Sequence, residues 1–325
     1  MNRRETLIAL LALGSAPLTV AAQDSDARRR IGFLHPGTAA PNFTELFTGR
    51  LRDLGWIEGR NLLIEYRWAN GRPERLPVLA RELAALKLAA ITTGDTAAAL
   101  AAKNATSEIP IVFANVSDPV GSGLVTNLAR PEKNITGFSF AHGDAFSGKW
   151  IELLREAAPQ AEAVTLLWHR SNPSNPRTLQ ELGVAAQKLG VKIRPVELHE
   201  PGGLEAQFAV LFRSREDGLV VLPSAFTVAH REKLIELATR HRVPAMYAFS
   251  LFADRGGLMS YGPDLREPQL RAADYVDKIL RGAKPGDLPV EQPTRFEFVI
   301  NRRTAGALGL KLSQSILLRA DRVIE

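Results

Sequence analysis

The sequence predicts an α/β fold of two Rossmann-like lobes with parallel sheets, joined by three crossover strands. Three observations carry that reading. Short apolar, β-branched runs alternate with amphipathic helical stretches from residue 31 onward, which is the rhythm of right-handed parallel βαβ units. The rhythm breaks three times, at 135–140, 256–262 and 285–293, where an extended piece stands in place of a turn. A chain of 325 residues is long enough for two lobes, each with its own core. The expected division is a signal peptide at 1–22, a flexible leader at 23–29, a first lobe at 30–137 plus 256–284, and a second lobe at 138–255 plus 285–325.

The first lobe begins with the strand Ile31 to Leu34, which ends at His35-Pro36-Gly37. A helix follows from Pro41 to Leu54, with apolar spacing through Phe43, Leu46, Phe47 and Leu51 and a stop at Gly55. Asn61 to Trp68 alternates as a strand, and Leu76 to Leu86 is amphipathic. The strand Leu88 to Ile91 runs into Thr92-Thr93-Gly94-Asp95-Thr96 before the helix Ala97 to Lys103. Such a helix start offers free backbone N–H groups and a favourable dipole to an anion, although capping alone explains Thr93, Asp95 or Thr96 as well. Ile109 to Ala114 is a buried strand leaving through Asn115, Ser117, Asp118 and Pro119, a set of capping side chains with proline at the first helical position. A short helix, Gly121 to Leu128, and the crossing Ile135 to Phe140 follow.

The second lobe repeats the pattern. Val164 to Trp168 is a strand with the polar exit His169 to Asn175, followed by the helix Arg177 to Leu189, the strand Lys192 to Leu198 and the helix Leu204 to Phe212. Gly218 to Leu222 exits through Pro223-Ser224-Ala225-Phe226 into a helix from Ala229 to His241, and Pro244 to Ala248 exits at Phe249 to Phe252. Gly256 to Gly262 is the expected second crossing, before the helix Leu265 to Leu280. Pro285 to Pro293 is the third, before Arg295 to Ile300 and the C-terminal helices.

Composition narrows the function. Hydrophobic residues at 45% and charged residues at 23% are ordinary for a soluble globular protein, so disorder is not expected. The net charge of +6 is scattered among acids without interleaved aromatics, which argues against nucleic acid as a partner. Arg3 and Arg4 precede an apolar stretch, Leu7 to Leu13, and small residues close the segment at Val20, Ala21 and Ala22, the pattern of a secretory signal. The adjacent arginines leave general and twin-arginine export both open. That stretch is too short to span a bilayer, so no direct membrane insertion is expected and the mature chain is placed in the periplasm. With no cysteine, disulfides and thiol catalysis are excluded. The chain has no G-x-S-x-G elbow, no H-E-x-x-H helix and no phosphate-cradling loop, and an enzyme is not expected.

The pieces GWIEGRNLLIEYRWANGRPERLP, IPIVFANVSDPVGSGLV with ARPEKNITG, HRVPAMYAF, GGLMSYGPDL, YVDKILRGAKPGDLPVEQPT and FEFVIN occur in this order across nearly the whole mature chain. In these blocks the sequence resembles the ABC transporter substrate-binding family that includes the tryptophan-type binding proteins. The resemblance implies the type I periplasmic binding protein fold, with the ligand held between the lobes. It also implies an extracytoplasmic, monomeric solute-binding component that closes on its ligand and presents it to a membrane permease. A sensor presenting bound solute to a membrane receptor kinase, and more remotely a periplasmic enzyme, remain alternatives.

Open α/β sheets take ligands at the carboxyl ends of their strands, so the candidate site follows from the strand exits. From the first lobe it comprises His35, Thr93, Gly94, Thr96, Asn115 and Asp118. From the second it takes Trp168, Arg170, Asn172, Ser224, Phe226 and Phe249, and Phe140 stands at the crossing. Hydroxyls and N–H groups at Thr93 to Thr96 suit a carboxylate, while Asp118 is either the acceptor for an ammonium or a helix cap. Trp168 is either an aromatic wall or the end of the core, and Phe140, Phe226 and Phe249 suit a flat apolar body. The expected ligand is a small carboxylate with an aromatic or branched apolar part, an amino acid first. His35, His142 and His169 could gather geometrically around a metal, but single histidines in a cleft more simply hydrogen-bond, and neither metal nor cofactor is expected.

Overall fold

A computed structural model describes residues 28–39, 41–131, 133–140, 143–199, 201–212 and 217–325. The expected signal peptide and His142 lie outside the described residues. In the N-terminal part the elements are β1 (Arg29–His35), α1 (Pro41–Asp53), β2 (Leu62–Trp68), α2 (Leu76–Ala84), β3 (Ala90–Thr93), α3 (Thr96–Ala105), β4 (Ile111–Val116) and β5 (Ile135–Ser139). They build a five-stranded parallel sheet in the order β2-β1-β3-β4-β5. The chain then crosses to α4 (Gly143–Ala157), β6 (Ala163–Trp168), α5 (Asn175–Leu189), β7 (Lys192–Glu197), α6 (Leu204–Leu211), β8 (Asp217–Val221), α7 (Ala225–Ala229), α8 (Arg231–Arg240), β9 (Ala245–Tyr247), α9 (Ser250–Ala253) and β10 (Met259–Gly262). It ends in α10 (Arg266–Leu280), β11 (Glu297–Asn301), α11 (Arg302–Ala307), α12 (Gln314–Arg319) and β12 (Arg322–Ile324).

The second sheet has seven strands among the described residues, in the order β12-β11-β10-β9-β8-β6-β7. It is parallel except where β11 runs against β10. β4 and β8 are mostly apolar, interrupted only by Asn115 and Asp217, and every residue in each is buried, as in strands covered on both faces. Helix ends follow local chemistry. Asp95 caps α3 by accepting from the Ala98 N–H at 2.8 Å, and α5 stops at Gly190 in the left-handed region.

Three expectations need correction. Gly256 to Gly262 does not leave the second lobe: β10 pairs with β9 and β11 in the second sheet, and the chain crosses just after Gly262. Helix α10 is the piece that returns, burying Ala272, Tyr275, Val276 and Ile279 in the core that also holds Phe33, Phe47 and Val112 of the first sheet. Arg50 pairs with Asp274 at 2.8 Å, and Trp56 Nε1 donates to Asp277 at 2.8 Å. Second, Gly121 to Leu128 is a series of turns rather than a helix. Gly121, Ser122 and Gly123 are weak helix formers, and Asp118 accepts from the Gly121 N–H at 2.7 Å, which diverts the backbone into a local turn. Third, the exit expected at Pro223 to Phe226 runs into a short helix, α7, and the helix expected from Ala229 to His241 begins as α8 at Arg231, the two meeting at His230, whose φ is −102° and ψ 20°.

Candidate functional site

The first and second sheets present the carboxyl ends of their strands to a common cleft, and a cavity of about 160 Å³, partly open to solvent, lies there. The first-lobe wall is made by the exits of β1, β3 and β4: His35, Gly37, Gly94, Asp95, Thr96, Asn115 and Ser117. The second-lobe wall is made by Asn172, Pro223, Ser224, Ala225, Val228, Arg231 and Phe249, with Phe140 at the crossing and Leu265 at the start of α10.

His35 lies among aromatic rings, with Trp68 at 5.3 Å and Phe33 at 6.1 Å between centroids. Its Nδ1 accepts from the Gly37 N–H at 3.0 Å. Loss of hydration drives its pKa down to about 4, so the ring is neutral at pH 7. A Cβ at Gly94 would collide with this imidazole, so glycine there is what allows the ring to lie flat across the β3 exit. Asp95 is pushed the other way. Burial raises its carboxyl to about 6, opposed by the backbone N–H groups of Ala98 and Ala97 at the start of α3. Asn115 holds φ at +54°, where the register of β4 against β5 shifts, and its buried Oδ1 has no partner among the described residues. Thr96 Oγ1 accepts from the Ser117 N–H at 3.2 Å, tying the β3 and β4 exits together.

The second-lobe wall is internally bonded. Ser224 and Thr227 form a reciprocal capping box at the start of α7, each backbone N–H donating to the other side chain at 3.0 Å. Asn172 Nδ2 donates to Pro223 O and, across the cleft, to Ser117 Oγ, both at 2.9 Å, while its Oδ1 accepts from the Ser174 N–H. Phe140 and Phe249 meet edge to face at 5.4 Å. Arg231, the one Lys or Arg among the described lining residues, donates to Val228 O at 3.1 Å.

Of the residues expected at the site, His35, Gly94, Thr96, Asn115, Phe140, Asn172, Ser224 and Phe249 come together around this cavity. Thr93, Asp118, Trp168, Arg170 and Phe226 do not line it. Thr93 is wholly buried inside β3, one residue short of the exit. Trp168 packs against the second-lobe core, and Arg170 turns outward to pair with Glu197 at 2.7 Å. Phe226 is stacked on His169 at 4.0 Å, its face covered by that imidazole. Asp118 belongs to the rear of the cleft. Its carboxylate caps the turn at Gly121 and pairs with Arg177 of the opposite lobe at 3.3 Å. No group of three or more His, Cys, Asp or Glu that could hold a metal occurs among the described residues.

Asp95 and Arg231 were missed as site residues. Asp95 has the sequence signature of a cap and nothing more, and it is indeed the cap of α3. Arg231 lay inside an expected helix, where its spacing gave no sign that the first turn of α8 faces the cleft.

A family model described as ABC transporter substrate binding protein matches residues 40–324. Among curated proteins, a tyrosine-binding protein of Clostridioides difficile is 26% identical over 266 residues, 82% of this chain and 76% of that protein. Among solved structures, a conserved domain protein from Vibrio cholerae superposes with a TM-score of 0.83 at 26% identity, covering 91% of this chain and 99% of its own. An ABC domain from Streptococcus pneumonia in complex with L-Trp gives a TM-score of 0.83 at 22% identity, with 91% and 100% covered. The fold is that of the type I periplasmic binding proteins. No helix among the described residues is long and apolar enough to cross a membrane.

Proposed function

The chain belongs to the ABC transporter substrate-binding protein family, and from that premise we propose that it captures an amino acid with a flat apolar side chain in the cleft between its lobes. One observation carries this reading: among the described lining residues a single cation, Arg231, and a single carboxyl group, Asp95, share the cavity with Phe140, Phe249 and Leu265. Arg231 suits the carboxylate of a zwitterion, Asp95 and the Asn115 Oδ1 suit its ammonium, and the apolar groups suit its side chain. The curated relative named for tyrosine supports an aromatic amino acid. In this reading the protein works as a monomer in the periplasm, closes around its ligand and hands it to an importer permease, without turning it over.

The test is mass spectrometry of whatever small molecule the purified protein releases on denaturation, joined to a fluorescence titration with aromatic amino acids. Trp68 is a native reporter, since its ring touches His35 at the cavity wall. Release of an aromatic amino acid that rebinds unchanged is the expected result. Release of a ligand without an α-amino acid head, or its conversion by the protein, would refute the reading.

A further inference from the structure

Behind the cavity, on the far side of the Ser117–Asn172 contact, the two lobes meet a second time. There Arg177, at the start of α5, stands between two carboxylates. Its Nε is 3.3 Å from Asp118 Oδ2 on the first lobe and 3.3 Å from Glu181 Oε1 one turn along its own helix. The Arg177 side chain is 61% exposed, so neither pairing carries a large desolvation cost and exchange between them is cheap. The Asp118 side is prepared in advance. Its Oδ1 is fixed by the Gly121 N–H, and only a glycine at 121 leaves room for the other carboxylate oxygen and the Arg177 guanidinium, since a Cβ there would overlap both.

We propose that Asp118, Arg177 and Glu181 form an affinity-setting toggle: Arg177 is shared between Asp118 and Glu181 when the lobes are together, as here, and keeps Glu181 alone when they part. None of the three lines the ligand cavity. They act on binding through the equilibrium between open and closed arrangements, because apparent affinity scales with the fraction of closure-competent protein. The signs are opposite on the two sides of the toggle. Removing Asp118 weakens closure and removing Glu181 strengthens it, since Arg177 then has one carboxylate instead of two. A merely structural role would make both substitutions harmful or both neutral.

The inference rests on closure of the lobes around a ligand, so its test keeps a readout that needs none. The chain has no cysteine, which permits Val78→Cys and Val184→Cys as a spin-label pair, one exposed site on each lobe. In the ligand-free protein, Asp118→Asn and Arg177→Gln should each move the interlobe distance distribution toward longer separations, and Glu181→Gln toward shorter ones. Asp118→Asn keeps the oxygen that accepts from Gly121, so the turn survives. With L-tyrosine as the probe, Asp118→Asn should weaken binding about two- to fivefold, the worth of one exposed ion pair, and Glu181→Gln should tighten it by a similar factor. The double variant Asp118→Asn/Arg177→Gln should be no weaker than either single one. If L-tyrosine fails to bind even the unmodified protein, the amino-acid reading fails while the distances still decide the toggle. Distances that do not respond to the three substitutions, or that shift the same way for Asp118→Asn and Glu181→Gln, would overturn it.

Discussion

The two walls of the cavity are built on different terms. On the first lobe the polar groups are held in states that cost free energy. Asn115 keeps a left-handed backbone and a buried acceptor without a partner among the described residues, and Asp95 and His35 are displaced from their ordinary pKa values in opposite directions by burial. On the second lobe the polar groups are already paired, Ser224 with Thr227 and Asn172 with Pro223, Ser174 and Ser117. A buried unpaired acceptor costs about 1–3 kcal/mol, and a ligand donor recovers that cost while a second protein partner would have removed it. On the proposed reading, the contrast assigns the ammonium to the first lobe and the carboxylate to Arg231 of the second lobe, whose other polar groups on this wall are already paired. Strained or unpaired groups gathered at a cleft are where binding free energy is available.

The sharpest way to break this comparison is Asp95→Asn. Asparagine caps a helix as well as aspartate, so thermal stability should hardly change, while binding of L-tyrosine should fall about ten- to hundredfold through loss of a charge-assisted contact. Unchanged affinity by calorimetry would remove Asp95 from the recognition wall. Next in size is the pH response. Asp95 takes up a proton as pH falls through about 6 and a protonated carboxyl no longer balances the ammonium, whereas His35 stays neutral down to about 4. Affinity should therefore drop between pH 7 and 5 with a midpoint near 6, and Asp95→Asn should flatten that profile; a profile that stays the same in the variant would assign the proton elsewhere. Asn115→Gly should cost less, about three- to tenfold in affinity, because glycine accepts the positive φ freely and only the side-chain acceptor is lost. The smallest effect on binding is expected from Ser224→Ala. It should lower stability by about 1 kcal/mol, the cost of a lost cap, and leave affinity nearly unchanged, a split that thermal melts and titration would read separately.

Much of the fold was legible because its signals are local. The apolar runs that became β1, β4, β6 and β8, and the amphipathic stretches that became α1, α2, α5 and α10, carry their periodicity in adjacent residues. The breaks in rhythm were visible in the sequence, but Gly256 to Gly262, read there as a crossing, could not be assigned to the second sheet from its own residues. Its partners, β9 and β11, were chosen by long-range pairing. The lining of the candidate site was legible wherever position at a strand exit faces the cavity, as for His35, Gly94, Asn115 and Phe249. It was illegible wherever a side chain one residue away turns the other way, since neighbouring residues of a strand face opposite sides of the sheet, as Thr93 shows. Arg231 depended on the first turn of α8 facing the cleft, which its spacing does not announce, and Asp118 on a partner 59 residues away in the chain.

On the proposed reading, one cavity reads both ends of an amino acid, the ammonium through the first lobe and the carboxylate through Arg231. Calorimetric titration of the unmodified protein with L-tyrosine, tyramine and 3-(4-hydroxyphenyl)propionate at pH 7.5 tests it most directly, because the three differ only in the charged groups they carry. L-tyrosine should bind and each truncated analogue should bind at least about tenfold more weakly, the cost of leaving one buried charged or polar partner without its contact. Equal affinity for all three would contradict the assignment of the cavity.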